Sequence, residues 1–257
     1  MFVEERHQQI LAELNLNGKI LVKDLSERFQ VTPDLIRKDL AFLEKGAHLK
    51  RVYGGAVLPQ MRMGQTKATA KEITNENRDV KRRIAAKAES MIQNGDMVFL
   101  DISTTNIEVA NLLVQKNRNV TVVTNMIDII QVLTAESRVK LIFIGGKLNR
   151  SKDGFTGAVS IEWLSRYQFD LAFIGVVGID LARNSVNTYE IDDALTKTSV
   201  MKVSRKSYIV AGSSKFNQQG NCRSAALDDF QGIITDKDAN PENLEKLASL
   251  GLDVCIV

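Results

Sequence analysis

"VTPDLIRKDLAFLEKG", residues 31–46, opens like a capped helix and then carries one apolar and one charged stripe. Thr32 can cap the free amides of a helix, and a proline suits the first helical position because it has no N–H to satisfy there. At 100° per residue, Ile36, Leu40 and Leu43 fall on one side of this helix. The stretch therefore predicts an amphipathic helix with its apolar side in a core.

The segments on either side of this helix indicate the kind of domain to which it belongs. Amphipathic patterns precede it over residues 10–14, ending near Gly18, and over residues 22–29. "HLKRVYGGAVL", residues 48–58, follows it with β-type residues around a Gly-Gly turn. Three short helices followed by such a hairpin are typical of a winged helix-turn-helix.

The charged side of the helix is the candidate DNA reader. Charges on an arbitrary amphipathic helix usually form a solvated face, but the second helix of a helix-turn-helix enters the major groove. Arg37 and Lys38 can contact guanine, and Asp34 can accept from a cytosine amino group. Basic residues of the hairpin can neutralise phosphates without reading sequence. The predicted DNA-binding residues are Thr32, Asp34, Arg37, Lys38, Lys45, Lys50 and Arg51.

Composition fits a globular protein and excludes several kinds of chemistry. A formal net charge of +3 permits nucleic acid as a partner without requiring it. The two cysteines, Cys222 and Cys255, lack metal-ligand or disulfide spacing, and the two histidines offer little for zinc, haem or catalysis. We therefore predict no cofactor, no metal and no catalytic residue. The first residues lack the apolar core of a signal peptide, and no apolar run reaches the roughly 18 residues of a membrane span, so we expect a cytoplasmic protein without a membrane partner.

The chain changes character near Gln60, where apolar periodicity is lost. We predict a DNA-binding domain over residues 1–58, a linker over 59–71 and a second domain over 72–257. The second domain alternates strand-like runs with helical ones, which predicts a mostly parallel sheet covered by helices on both faces. The strand-like runs are MVFLD, NVTVVT, VKLIFIGG, FDLAFIGVVGID, SYIVAG, GIITD and LDVCIV, and the helical ones are NIEVANLLVQ, MIDIIQVLTA, VSIEWLSRY, IDDALTKTSVMKV and PENLEKLASLG.

Residues 10–57 resemble the DNA-binding domain of the deoxyribose-operon repressor (DeoR) family. The signature runs through Val31, Ile36, Arg37, Lys38, Asp39, Leu40, Leu43, Glu44, Leu49, Arg51, Gly54, Gly55 and Ala56. Pro33 and Asp34 stand where the family often has an acidic or serine pair. "FLDISTTNIEVANLL", "IFIGGKLN", "YEIDDALTKTSVM" and "IVAGSSKF" resemble its sensor domain. The resemblance implies a fold like ribose-5-phosphate isomerase and coenzyme A transferases, and a response to a phosphorylated sugar or related metabolite.

Polar residues follow several of the predicted strands at the edge where ligands of open α/β sheets bind. Asp101, Ser103, Thr104 and Thr105 come directly after MVFLD, and their hydroxyls precede a helix whose first amides can hold a phosphate. The serine and threonines could equally cap that helix. Thr124 and Asn125, and also Gly145 and Gly146, follow the next two strands. A strand-end turn would explain these glycines as well.

The family resemblance adds four residues to this site: Asp180, Glu190, Lys197 and Lys215 resemble polar residues used for proton transfer in the related isomerases and for sugar hydroxyls in the sensors. Surface ion pairs, such as Asp193 with Lys197, are the alternative for each. Ser103 and Gly212 depart from the glycine and aspartate usual in the family. The predicted effector-binding residues are Asp101, Ser103, Thr104, Thr105, Thr124, Asn125, Gly145, Gly146, Asp180, Glu190, Lys197 and Lys215.

These observations predict a transcription regulator, in particular a repressor of a sugar-metabolism operon. It would bind operator DNA as a homodimer or homotetramer, because a two-fold protein matches paired half-sites. The alternative is a sugar-phosphate isomerase-like enzyme fused to a DNA-binding module, with Glu190 or Asp180 as the base. A nucleotide-dependent redox sensor is disfavoured, since the chain lacks G-x-G-x-x-G after a strand and also lacks G-x-x-x-x-G-K-[ST].

Overall fold

The computed structural model describes residues 3–17, 19–45, 49–52, 54–57, 78–134, 137–216 and 218–257. The chain divides into two compact units, Met1–Thr66 and Lys67–Val257. The predicted linker over 59–71 lies outside the described residues, so the proposed division into 1–58 and 72–257 stays a prediction. No helix in the described part of the chain is long and apolar enough to cross a membrane.

The first unit is a winged helix-turn-helix. Its elements are α1 (Val3–Asn17), β1 (Lys19–Leu21), α2 (Val22–Phe29), α3 (Pro33–Lys45), β2 (Lys50–Val52) and β3 (Gly55–Val57). The three strands form an antiparallel sheet in the order β1–β3–β2. We did not predict β1, whose pairing depends on Gly55: a Cβ there would lie 2.0 Å from the Ile20 carbonyl oxygen.

Helix α3 packs as its periodicity predicts. The amide of Leu35 donates to the hydroxyl of Thr32 over 3.3 Å, so Thr32 caps the helix. Ile36, Leu40 and Leu43 are buried in the core of the first unit, together with residues of α1 and α2. The apolar side of α3 is thereby fixed, and the opposite side is left to solvent.

A buried group of charges joins α1 to α3. Asp39 accepts hydrogen bonds from Arg6 Nε at 2.6 Å and Arg6 Nη2 at 3.1 Å, and its Oδ1 lies 3.0 Å from His7 Nε2. Burial opposes the charged form of Asp39, but the hydrogen bonds from Arg6 and His7 outweigh it, and the pKa of Asp39 is lowered. This contact orients α3 against α1.

The second unit is built on a parallel sheet of seven strands, in the order β15–β14–β12–β9–β4–β5–β6. These strands are β4 (Met97–Leu100), β5 (Thr121–Thr124), β6 (Lys140–Phe143), β9 (Phe169–Ile174), β12 (Ser204–Val210), β14 (Gly232–Thr235) and β15 (Asp253–Ile256). Six of them lie within predicted strand-like runs, and β12 begins at Ser204, three residues before the run SYIVAG. The predicted fold class, a winged helix-turn-helix followed by an α/β domain with a mostly parallel sheet, is confirmed.

Helices cover both faces of this sheet, as predicted. They are α4 (Arg78–Ser90), α5 (Thr104–Gln115), α6 (Ile127–Leu133), α7 (Ala158–Leu164), α8 (Ile191–Lys202) and α9 (Pro241–Ser249). Along β4, Val98 and Leu100 pack into a core with α4, α5 and α6, and Phe99 packs into another core with α7, α8 and α9. Successive side chains of a strand face opposite ways, so continuous apolar runs are required.

Smaller antiparallel elements were not predicted. They are the pair β7 (Lys147–Leu148) with β8 (Phe155–Thr156), and a sheet of β10 (Gly178–Asp180), β11 (Ser185–Thr188) and β13 (Cys222–Ala225). The run FDLAFIGVVGID, read from the sequence as one strand, divides into β9 and β10. Between them, Gly175 lies against the loop after β4, where a Cβ would sit 2.5 Å from Ser103 Cβ.

Candidate functional site

The solvent side of α3 carries the residues predicted to read DNA. Thr32, Asp34, Arg37 and Lys38 are all exposed there. Arg37 pairs with Asp34 one turn earlier, and the two side chains are 62% and 81% exposed. Base contacts by both residues would require this pair to open.

The wing residues show a different arrangement. The backbone amide of Arg51 donates to Glu44 Oε1 over 2.9 Å, and its Nε donates to Glu44 Oε2 over 2.7 Å. This joins β2 to the end of α3 and partly neutralises the guanidinium. The side chains of Lys45 and Lys50, which were also predicted to contact DNA, lie outside the described part of the chain.

In the second unit, the carboxyl end of β4 delivers Asp101 into a buried group of charges. Asp101 Oδ2 accepts from the Gly175 amide at 2.9 Å and from Lys197 Nζ at 2.5 Å. Lys197 Nζ also lies 3.1 Å from Asp193 Oδ1, and Asp193 Oδ2 accepts from the Thr188 hydroxyl. The Asp193–Lys197 pair weighed from sequence as a surface contact is therefore real, but its lysine is buried.

Burial controls the charges of this cluster. The pKa of Asp101 is raised to about 6, because loss of water opposes its charged form more than Lys197 favours it. The pKa of Lys197 is raised as well, since Asp101 and Asp193 together outweigh burial. Asp101 Oδ1 has no hydrogen-bond partner among the described residues. The cluster thus holds a charged lysine between two carboxylates at the sheet edge.

The hydroxyl residues beside Asp101 begin α5. The Ser103 hydroxyl accepts from the Thr105 amide at 3.2 Å, so Ser103 caps the helix. Ser103 and Thr104 are partly exposed, whereas Thr105 is buried. The capping role foreseen from sequence is present, and the exposed hydroxyls next to the helix N-terminus suit a phosphate.

The polar residues at the end of β5 have buried side chains. The buried Thr124 hydroxyl donates to the Leu100 carbonyl at 2.6 Å and accepts from the Met126 amide at 3.1 Å. Buried Asn125 donates to the Phe155 carbonyl at 2.8 Å. Both side chains therefore support the strand ends, a role the sequence did not indicate.

Gly145 and Gly146 are exposed after β6. A Cβ at Gly146 would lie 2.1 Å from the hydroxyl oxygen of Ser160, which itself donates to the Gly145 carbonyl at 2.9 Å. Close packing against α7 is therefore one reason for glycine at position 146, and it differs from the strand-end turn weighed from sequence.

Asp180 lies apart from the buried cluster, contrary to the single site drawn from sequence. It pairs with Ser185 across the small sheet and lines a groove of about 260 Å³ with Arg183, Asn187 and Arg223. The residues on either side of Asn187 face the other way. Val186 packs in the core, and the Thr188 hydroxyl donates to Asp193. Neighbouring strand residues face opposite sides, so the small sheet separates Asp180 from the cluster.

The other two predicted effector residues flank the edge of the main sheet. Glu190 immediately precedes α8, and its Oε1 accepts from the Arg150 amide at 3.2 Å. Lys215 ends the short 3₁₀ turn Ser213–Lys215 that follows β12, and its side chain is half-buried. Lys215 thus follows β12 at the same edge of the sheet as the loop after β4 that carries Asp101 and Ser103.

Asp236, which sequence reasoning missed, organises this turn. It follows β14 and is 1% exposed. Its Oδ2 accepts from the Ser213 amide at 2.6 Å and its Oδ1 from the Asp238 amide at 3.0 Å. Burial opposes its charge, but these amides outweigh burial and lower the pKa of Asp236. The signal was present, since GIITD ends in an aspartate at the same sheet edge.

The neighbourhood of Asp236 also accounts for Gly212. A Cβ at Gly212 would lie 3.3 Å from Asp236 Oδ2. The aspartate that the family resemblance leads one to expect at this position would bring two carboxylates together. A carboxylate from the adjacent strand is therefore already present beside the turn.

Two family descriptions match this chain. The DeoR-like helix-turn-helix domain matches residues 6–62, and the DeoR C terminal sensor domain matches residues 76–237. Related proteins align along almost the whole chain. A candidate aga operon transcriptional repressor of Escherichia coli O157:H7 is 34% identical over 98% of this chain and 93% of its own length.

Two further relatives are named repressors. The HTH-type transcriptional repressor GlcR of Bacillus subtilis (strain 168) is 30% identical over 100% of this chain and 97% of its own. The glycerol-3-phosphate regulon repressor of Escherichia coli (strain K12) is 28% identical over 90% of each chain.

Solved structures overlap with part of the chain. Ribose 5-phosphate isomerase A from Methanocaldococcus jannaschii shares 13% identity over 55% of each chain, with a TM-score of 0.40. The initiation factor eIF2B beta from Chaetomium thermophilum shares 17% identity over 63% of this chain and 50% of its own, with a TM-score of 0.43. The overlap thus spans about half the length of those structures. By its two matched domains and its full-length relatives, the chain belongs to the DeoR family of helix-turn-helix transcriptional regulators.

Proposed function

We propose that this protein is a transcriptional repressor of a sugar-metabolism operon and that a phosphorylated sugar or related metabolite controls it. The observation that carries the proposal is the alignment of nearly the whole chain with repressors, among them those of the aga operon and the glycerol-3-phosphate regulon. A repressor of this kind acts on operator DNA, which lies in the cytoplasm of a bacterium.

The exposed side of α3 supports the DNA-binding half of the proposal. Arg37 and Lys38 lie together on a helix whose other face is fixed in the core. Their direct partner would be the major groove, with Arg51 near phosphate. Operator DNA with two half-sites would engage a homodimer or homotetramer.

The sheet edge supports the effector half. Ser103 and Thr104 at the start of α5 would hold the phosphate, and Lys215 would contact a phosphate or hydroxyl oxygen. The buried Asp101–Lys197 pair would sense the ligand through the loop that carries both Asp101 and Ser103. No cofactor or metal enters this scheme.

Binding without turnover is favoured by the placement of the candidate bases. Asp180 lies across the small sheet from the buried cluster, and Glu190 accepts from a backbone amide of the neighbouring hairpin. An isomerase needs its base within hydrogen-bond reach of the substrate carbon acid. Asp180 is separated from Lys197 and Asp101, and Glu190 is engaged by the Arg150 amide, so we assign no catalytic residue.

Fluorescence anisotropy tests the proposal. Purified protein would be titrated on DNA from its own upstream region and on random DNA, across salt concentrations, with and without a panel of sugar phosphates. We expect specific, salt-sensitive binding that one sugar phosphate shifts, with that ligand recovered unchanged. Absence of specific binding, or consumption of the ligand, would refute the proposal.

A further inference from the structure

The outer surface of the second unit exposes large apolar side chains on two helices. On α7, Val159 and Trp163 lie one turn apart, and each is 59% exposed. On α8, Ile191 and Leu195 lie one turn apart and are 59% and 50% exposed. The two helices pack against each other, so their exposed ridges are adjacent. We refer to these four residues as the α7–α8 face.

Two more exposed apolar side chains lie near this face. Leu148 on β7 and Tyr189, just before α8, are 44% and 43% exposed. Lys147 Nζ lies 2.8 Å from Asp192 Oδ2, which holds the β7 strand beside the start of α8. The hairpin therefore borders the α7–α8 face.

The area of this surface is that of a functional apolar patch. Trp163 and Tyr189 carry roughly 150–250 Å² each and the aliphatic side chains somewhat less, so the six, about half exposed, present on the order of 500 Å² of apolar surface. The largest apolar patch of a typical monomer spans about 300–600 Å² and is often functional. A stable interface takes about 800 Å² from each partner, of which roughly 56–65% is apolar. The apolar area available matches what one side of such an interface needs.

The charges at its rim favour a second copy of the chain as the occupant. Lys147 is paired with Asp192, and Arg166 Nη2 lies 2.5 Å from Glu162 Oε1. Each pair is neutral in place, so the same surface from two copies can meet without like-charge repulsion. DNA or an anionic membrane would instead favour an excess of basic residues.

We propose that the α7–α8 face is the surface through which two copies of this chain associate about a two-fold axis. In such a contact the same residues of both copies meet, with Trp163 and Leu195 as its apolar centre. Association at this face does not require an effector. A result that excludes this interface would therefore not exclude the repressor function, and a result that excludes the repressor function would not exclude this interface.

Wild-type protein provides the first test, because Trp163 is the single tryptophan of the sequence. Full-length chain would be diluted stepwise while its mass is measured by sedimentation and its tryptophan emission is recorded. We expect the mass to fall by half and the emission to shift to longer wavelength with the same midpoint, as Trp163 becomes exposed to water. A monomer throughout, or a change in mass without a change in emission, would overturn the proposal.

Matched variants provide the second test. Leu195→Lys and Val159→Lys should each raise the dissociation constant at least roughly 30-fold, as expected for central interface positions. Ile256→Lys is the control, because Ile256 is 52% exposed on the edge strand β15, away from α7 and α8. Dissociation by Ile256→Lys alone would place the contact at the sheet edge and exclude the α7–α8 face. Circular dichroism would verify folding, and the wild-type dilution decides the matter if a variant fails to fold.

Discussion

Lys197 Nζ lies 2.5 Å from Asp101 Oδ2, and this ion pair joins α8 to the end of β4 with both side chains almost fully buried. Asp193 completes the cluster one turn earlier on α8. Asp101 and Lys197 are 96 positions apart in sequence. Their ion pair couples a helix on one face of the sheet to the edge where a ligand would bind.

Lys197→Met should destabilise the second unit by roughly 3–5 kcal/mol, because it leaves the buried Asp101 and the partly buried Asp193 without their cation. Urea unfolding followed by circular dichroism measures the change. The control is Lys147→Met, which removes an exposed pair with Asp192 and should leave the unfolding midpoint unchanged. If the two variants lowered the free energy of unfolding equally, the buried Asp101–Lys197 pair would stabilise the second unit no more than an exposed pair does.

Asp39→Asn should destabilise the first unit near neutral pH by roughly 3–5 kcal/mol, since Arg6 would lose its buried partner. The pKa of Asp39 is lowered below the usual 3.8, so its contribution is complete above pH 3.8 and is lost as pH falls through the lower, folded value.

The difference in free energy of unfolding between wild type and Asp39→Asn should therefore shrink below pH 3.8. Hydrogen exchange of α3 amides across the acid range measures it. Glu27→Gln, at an exposed site on α2, is the control and should show no such convergence. A constant gap between wild type and Asp39→Asn would exclude ionised Asp39 as the source.

Arg37→Ala should cost roughly 1–3 kcal/mol of specific operator binding while binding to random DNA changes little. Anisotropy titrations on both DNAs measure the ratio. Arg205→Ala serves as the control, because Arg205 is equally exposed and paired with an aspartate, but lies on β12 of the other unit. Unchanged discrimination in Arg37→Ala would remove this residue from sequence readout.

Lys215→Ala should weaken the effector response roughly tenfold or more while operator affinity without effector is retained, because a charged hydrogen-bond donor to a phosphate or hydroxyl oxygen is lost. The measurement is an effector titration of the preformed protein–DNA complex. Lys237→Ala, at an exposed site after β14, is the control. An effector titration identical to that of wild type would exclude Lys215 from the site.

The sequence by itself determined the parts of the fold that depend on local periodicity. Ile36, Leu40 and Leu43 recur at helical spacing, and burying them needs only that α3 has a core to face. The continuous apolar runs around Phe99 and Ile233 require cover on both faces, and only a sheet between two helical layers supplies it. These patterns extend over a few residues, so they predict a helix or strand without knowledge of the elements that pack against it.

Tertiary structure alone decided which polar side chains meet. It paired Asp39 with Arg6 and Asp101 with Lys197, and it placed Asp236 where a carboxylate at Gly212 would lie close to a second one. It also set Asp180 across the small sheet from the cluster. Hydrogen bonds and ion pairs depend on ångström distances between chain segments far apart in sequence, and spacing along the chain does not encode those distances.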